Sequence, residues 1–162
     1  MGIGSNLGER RAFCVRALRA LAKTPGVTLR RWSKIYLTPP VGFASKNYFY
    51  NLVCEVETAL SPQALLFRLW QIELSCGRLR RGRLADRTLD LDLLLYDDLI
   101  LRDASLTLPH PRLHLRGFVL FPLVELIPEE KHPMLNKSFV SLLADLSPEE
   151  KGEIKAIGEL CV

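Results

Sequence analysis

An α+β fold is what this sequence predicts, and three patterns carry the prediction. Cys14, Ala17, Leu18 and Leu21 recur at i, i+3, i+4 and i+7, the spacing of one helix face. Leu65, Leu66, Leu69, Ile72, Glu73 and Cys76 repeat the pattern later in the chain. Between and after these helices lie runs in which apolar and polar residues alternate with the period of a strand.

In chain order, Gly2-Ile3-Gly4-Ser5-Asn6-Leu7-Gly8 reads as the end of a first strand turning into a helix over 10–23, stopped by Pro25-Gly26. Residues 27–37 read as one strand, with Val27, Leu29, Ile35 and Leu37 in one phase and Arg30 and Lys34 in the other. Thr38-Pro39-Pro40-Val41-Gly42 ends it, because two prolines remove two ladder donors. A second strand spans 51–58. Ser61 and Pro62 then supply the N-cap and first position of the next helix, which runs to Gly77. An arginine-rich loop covers 78–87, followed by a strand over 89–96, a turn at Asp97-Asp98 and a return strand over 99–101. Pro109-His110-Pro111 is a rigid turn. Helices are expected over 118–126 and 138–146, and 147–162 as a peripheral tail. With the opening stub counted as a strand, the core is β-α-β-β-α-β, a ferredoxin-like antiparallel arrangement in a single domain.

The bulk properties agree. A chain of 162 residues, 48% hydrophobic and 25% charged, has enough apolar side chains for one sizeable core. Its net charge of +4 suits attraction of a small anionic substrate better than a long polyanion, so no nucleic-acid partner is expected. The apolar stretch 118–127 is too short to cross a bilayer and contains Pro122, and no leader precedes the Gly-Ser-Asn turn. Cys14, Cys54, Cys76 and Cys161 form no C-x-x-C pair and read as reduced thiols. The expectation is a cytoplasmic monomer acting on small molecules, with no membrane partner.

The chemistry concentrates in Arg87-Thr88-Leu89-Asp90-Leu91-Asp92-Leu93. Strand alternation puts Asp90 and Asp92 on one face and their leucine neighbours on the other. Two carboxylates side by side in so apolar a strand repel each other, and a cation between them removes that cost. Magnesium, which is commonly held by one or two carboxylates plus substrate phosphates, suits the pair; two aspartates on a solvated face would give the same pattern. Arg78, Arg80, Arg81, Arg83 and Arg87 directly precede them. Guanidinium groups bind phosphates in bidentate fashion and keep their charge, so the combination points to phosphoryl transfer. A basic solvated loop or an RNA-binding patch is the competing reading of the arginines alone. His110 with Arg116, and the Thr38–Gly42 turn with Phe49-Tyr50-Asn51, add a loop imidazole, rigid backbone, aromatic faces and an amide able to read a heterocycle's edge. No G-K-[ST] phosphate loop and no protein-kinase signature occurs.

Taken together these pieces resemble the 6-hydroxymethyl-7,8-dihydropterin pyrophosphokinase family. The resemblance rests on Gly4-Ser5-Asn6-Leu7, Tyr36-x-Thr38-Pro39-Pro40-x-Gly42, Phe49-Tyr50-Asn51 and Ile72-Glu73-x-x-x-Gly77-Arg78-x-Arg80, with Arg87-Thr88-Leu89-Asp90-Leu91-Asp92, Leu108-Pro109-His110-Pro111 and Arg116-Gly117-Phe118. It implies transfer of pyrophosphate from ATP to the pterin hydroxymethyl group, with release of AMP, in folate biosynthesis. By position it implies that Asp90 and Asp92 hold two magnesium ions. Arg78 and Arg87 would be catalytic, and Glu73, Arg78, Arg80, Arg87, Leu93, His110 and Arg116 would line the ATP site. Phe49 and Phe118 would sandwich the pterin, with Asn51, Thr38, Pro39 and Val41 around its edge. Two departures accompany the resemblance. The family's Trp-Gly-Pro before Arg-Thr-Leu-Asp is replaced by Leu84-Ala85-Asp86, which implies weaker loop closure and an extra anion near the phosphates. The first strand looks shortened. The alternatives are a ferredoxin-like RNA-binding module and an inactive relative that keeps the fold.

Overall fold

The computed structural model describes residues 1–78 and 84–162. Its elements are β1 (Gly2–Ser5), α1 (Arg10–Ala22), β2 (Val27–Trp32), β3 (Ile35–Thr38), β4 (Phe49–Thr58), α2 (Pro62–Ser75) and β5 (Asp90–Asp92). They continue with β6 (Leu101–Arg102), β7 (Thr107–Leu108), a 3-10 turn (Leu113–Leu115), α3 (Gly117–Leu126), α4 (Phe139–Asp145), α5 (Pro148–Lys151) and β8 (Lys155–Gly158). The main sheet runs β5-β1-β4-β3-β8, with β2 pairing beside β3 along the long strand β4, and every pair in it is antiparallel. Through β5 this is the expected β-α-β-β-α-β core, with its second strand divided into β2 and β3.

Strand alternation divides the molecule into two cores. On one face Ile3, Leu52, Leu91 and Leu93 meet Leu18 and Leu21 of α1 and Leu65 and Leu69 of α2. On the other, Val53 and Leu94 meet Leu120 and Leu123 of α3 and Phe139 and Leu142 of α4. Each fully buried leucine contributes roughly 1.5–3 kcal/mol of transfer free energy, so two faces of such contacts hold the sheet rigid. The residues expected to form the buried face of α1 do so, and Ser61 caps α2 by accepting from the Ala64 N–H at 3.2 Å. The thiols of Cys14, Cys54 and Cys76 are buried and unbridged. Met1 is buried, and its amino group donates to the Cys54 carbonyl at 2.8 Å.

Three expectations need correction. The single strand over 27–37 is two strands, broken at Ser33. The buried Ser33 side chain accepts from the Val53 N–H at 3.0 Å, and its own N–H donates to the Val53 carbonyl at 2.9 Å. Lys34 N–H turns outward to Glu125 at 3.1 Å. A register shift between Leu29 and Arg31 also changes the phase, so that Trp32 packs inward. The strand over 89–96 shrinks to Asp90–Asp92, because its pairing with β1 runs only to Gly2–Asp92 and the Leu94 carbonyl then accepts from the His110 N–H at 2.8 Å. The return strand does not pair with β5; β6 pairs with β7 in a separate ribbon.

The segment expected as a peripheral tail adds a short helix and an edge strand. Ser147 and Glu150 form a reciprocal capping box on α5, and β8 pairs with β3. Leu160 is buried, and its carbonyl accepts from the Trp32 indole at 3.2 Å. Gly117 lets this segment approach α3: a Cβ there would stand 2.6 Å from the Glu150 carbonyl oxygen and 2.9 Å from the Ile154 side chain. Among the described residues no helix is long and apolar enough to cross a membrane. Gly117→Ala should therefore destabilise the fold by roughly 1–3 kcal/mol, the usual cost of overpacking. Hydrogen exchange should speed up over 147–160 more than in α1 or α2.

Candidate active site

The site is built on β1. Gly4 lies opposite Asn51 of β4 on one side and Asp90 of β5 on the other, and Gly2 lies opposite Val53 and Asp92. A strand two glycines wide on this face thus joins the amide-bearing strand to the carboxylate-bearing one. Gly2 and Gly4 form the floor of a cavity of about 210 Å³. Thr38, Pro39, Val41, Gly42 and Phe43 wall one side, Phe118, Val119 and Arg116 at the start of α3 another, and Asp90, Asp92, Arg87 and Leu84 the mouth.

Gly4 is required for space. A Cβ there would meet Asn51 Oδ1 at 2.7 Å. Asn51 is buried and donates through Nδ2 to Thr38 Oγ1 at 2.7 Å, so its amide is fixed in one orientation against the cavity wall. Phe49 is buried, with Phe43 packed edge-on at 6.2 Å between centroids and the Arg87 guanidinium 5.1 Å from its ring centre. Arg116 stands in the same relation to Phe118, at 5.3 Å. The two arginines so placed cover aromatic faces while keeping charge at the cavity mouth.

Asp90 and Asp92 share a face, as strand alternation requires, and Leu91 between them is core. Asp90 is ion-paired with Arg78 and with Arg87, the latter at 2.8 Å. Arg78 is in turn ion-paired with Glu73. Asp92 is pushed up to about 6 by burial first and by the charge of Asp90 second, against the opposing pull of Arg116 and Arg87. Because the folded value lies above the ordinary 3.8, folding favours the protonated form: this group's contribution to stability is complete below about pH 4 and lost as pH rises through about 6. The carboxylate oxygens of Asp90 and Asp92, side by side on one face, are hard donors of the kind that fit a divalent cation.

Glu73 and Leu93, ATP-site positions by the resemblance, are both buried. Glu73 is buried behind Arg78, where it accepts from the Leu91 N–H at 2.8 Å and locks α2 to β5. The Leu93 side chain is in the core beneath α1 and α2, so only its backbone is available to the carboxylate face. His110 is half-buried, and its Nδ1 accepts from the Arg112 N–H at 3.2 Å, which leaves Nε2 to carry the proton. Burial, then Arg116 and Arg112, lower its pKa to about 4, so the ring is a neutral donor near neutral pH. Arg80 lies outside the described residues. Residues that sequence reasoning missed are Phe43, Leu84, Arg112 and Leu115, all on the cavity wall. Phe43 and Arg112 lie beside motifs already singled out, and Leu84 stands in the run that departs from the family motif; Leu115 carries no signal of its own.

The model of the 7,8-dihydro-6-hydroxymethylpterin-pyrophosphokinase family matches residues 1–128, a span holding every wall of this cavity. The chain belongs to this family. Members similar to it include the 2-amino-4-hydroxy-6-hydroxymethyldihydropteridine pyrophosphokinase of Methylorubrum extorquens, 38% identical over 129 residues, covering 80% of this chain and 82% of that protein. The enzyme of the same name from Bacillus subtilis is 40% identical over 126 residues, 78% of this chain and 75% of that protein. The folic acid synthesis protein fol1 of Pneumocystis carinii is 37% identical over 141 residues; the match covers 87% of this chain but only 19% of that protein. Among solved structures, a wild-type Plasmodium falciparum HPPK-DHPS chain with STZ-DHP superposes with a TM-score of 0.70 at 16% identity, covering 88% of this chain and 42% of that one. That likeness concerns the fold, and it confirms the α+β arrangement for the family domain.

Gly4→Ala should cost roughly 1–3 kcal/mol by forcing the new methyl group against the Asn51 amide. The double variant Gly4→Ala/Asn51→Ala should recover most of that loss, and denaturant midpoints measure both. Additive losses would mean that the glycine is needed for some other reason.

Proposed function

We propose that this chain transfers pyrophosphate from ATP to the hydroxymethyl group of 6-hydroxymethyl-7,8-dihydropterin, giving AMP and the pterin diphosphate, as a step of folate biosynthesis. Family membership supports the reaction. The single observation that supports its roles for residues is the double pairing of Gly4, which sets an aromatic, amide-lined cavity beside a carboxylate and arginine rim.

The cavity takes the pterin. Phe49 and Phe118 supply apolar faces for the ring, and Asn51, held by Thr38, supplies a donor–acceptor edge with Pro39 and Val41 alongside. The rim takes ATP. Arg78, Arg87 and Arg116 bind phosphate oxygens, His110 offers a neutral N–H, and Arg80 would add a further guanidinium. Asp90 and Asp92 would hold two magnesium ions, whose chemistry is to polarise the phosphate oxygens and offset their charge. Glu73 acts behind Arg78, keeping the guanidinium in place when Asp90 takes other partners.

In the reaction the pterin hydroxyl oxygen bonds to the β-phosphorus as the bond from that phosphorus to the α–β bridging oxygen breaks. The hydroxyl proton is lost, and AMP carries away the bridging oxygen. Such transfers depend mainly on alignment and on positive charge around the phosphoryl group. Arg78 and Arg87 provide fixed charge where it is needed, because each is already anchored, to Glu73 and to the Phe49 face respectively. We read the enzyme as a cytoplasmic monomer acting on diffusing small molecules, a reading supported by its modest net charge of +4.

Protein, ATP, magnesium and hydroxymethyl-dihydropterin incubated together should yield AMP in proportion to pterin consumed. ADP as the product would replace the reading with single-phosphate transfer, and no turnover would favour an inactive relative. Asp92→Asn should lower kcat at least a hundredfold. The same change should raise the melting temperature of the metal-free protein at pH 8 by a few degrees, since it relieves a buried like-charge contact. A variant that keeps full magnesium-dependent turnover would refute the metal assignment.

A further inference from the structure

The sequence departs from its family at Leu84-Ala85-Asp86, where an added anion near the phosphates was expected. The structure turns Asp86 the other way. Its carboxylate accepts from Ser45 Oγ at 2.6 Å, Asn47 Nδ2 at 2.6 Å and Asn6 Nδ2 at 2.7 Å. Ser45 and Asn47 belong to the β3–β4 loop that walls the cavity, whereas Asn6 follows the glycine strand. Asn6 is buried and brackets the next residue as well: its N–H donates to the Arg87 carbonyl at 3.1 Å, and its Oδ1 accepts from the Arg87 N–H at 2.8 Å.

We propose that Asp86 is a positioning residue, a polar latch that fastens the β3–β4 loop to the segment entering β5, so that Leu84 stands as the apolar cover of the pterin cavity. Leu84 lines that cavity although the residue is 49% exposed, and its Cδ1 lies 3.2 Å from where a Cβ on Gly42 would be. A half-exposed leucine at a cavity mouth gains burial only when an apolar ring fills the space beneath it. The three acceptor bonds are charge-assisted, and that from Ser45 chiefly holds the Asp86 carboxyl below the ordinary carboxylate range. Two loops joined before the ligand arrives lose less freedom on binding, which strengthens binding without any new ligand contact. The shorter leucine and the aspartate thus do together, by pre-organisation, what the family's larger ring does by coverage.

The latch rests on the pterin reading of the cavity, and the test separates the two. In ligand-free protein, Asp86→Ala should accelerate amide hydrogen exchange over 43–48 at least tenfold and leave α1 and α2 unchanged; unaltered exchange in that loop would overturn the latch. With ligands, Asp86→Ala should raise the pterin Kd roughly tenfold and leave the ATP Kd within about twofold. Asn47→Ala added to Asp86→Ala should weaken pterin binding no further. Equal losses for ATP and pterin with a fallen melting temperature would mark Asp86 as merely structural and overturn the proposal. If the unaltered protein binds no pterin while the exchange result holds, the substrate reading falls and the latch stands.

Discussion

Everything the site does depends on β1 having neighbours on both edges and no side chains on one face. Gly4 touches the registers of Asn51 and Asp90 at once, and Gly2 those of Val53 and Asp92. Strands about 5 Å apart carry these pairs, so the amide-bearing strand and the carboxylate-bearing strand are brought within about 10 Å across a glycine floor. Ile3, between the glycines, points to the opposite core and anchors the strand there. The fold therefore uses one four-residue strand both as a structural keel and as empty space.

The charges around that floor are held in a chain. Glu73 fixes Arg78, Arg78 and Arg87 together neutralise Asp90, and Asp92 is left with the high proton affinity that burial and repulsion impose. Such a network of partly buried charges is costly to assemble, and under the proposed function cation and phosphate would exchange its contacts. The same logic explains why two arginines lie over aromatic rings: each guanidinium is kept near the mouth by a face that does not compete for its hydrogen bonds.

The loops around the cavity are tied down by short polar side chains. Asn6 and Asp86 connect three segments that are distant in sequence, and the connection reaches Arg87 through the backbone. A departure from the family motif that looks like a loss of cover is, in three dimensions, a change in how the cover is held.

Periodicity and motif chemistry were enough to identify α1 to α4, the core-facing residues of α1 and α2, the shared face of Asp90 and Asp92, and the family. These are local properties, set by residue type and spacing within a few turns or one strand. Tertiary structure decided the rest. The break at Ser33 depends on a hydrogen bond to Val53, the early end of β5 on His110 capturing the Leu94 carbonyl, and the inward turn of Glu73 on a β5 amide it meets only after folding. Asp86 is the clearest case. It lies next to Arg87 at the end of an arginine-rich run, which made it look like an anion set among phosphates, but its partners lie 39 to 80 residues away, and no local pattern encodes a contact that forms only when two loops meet.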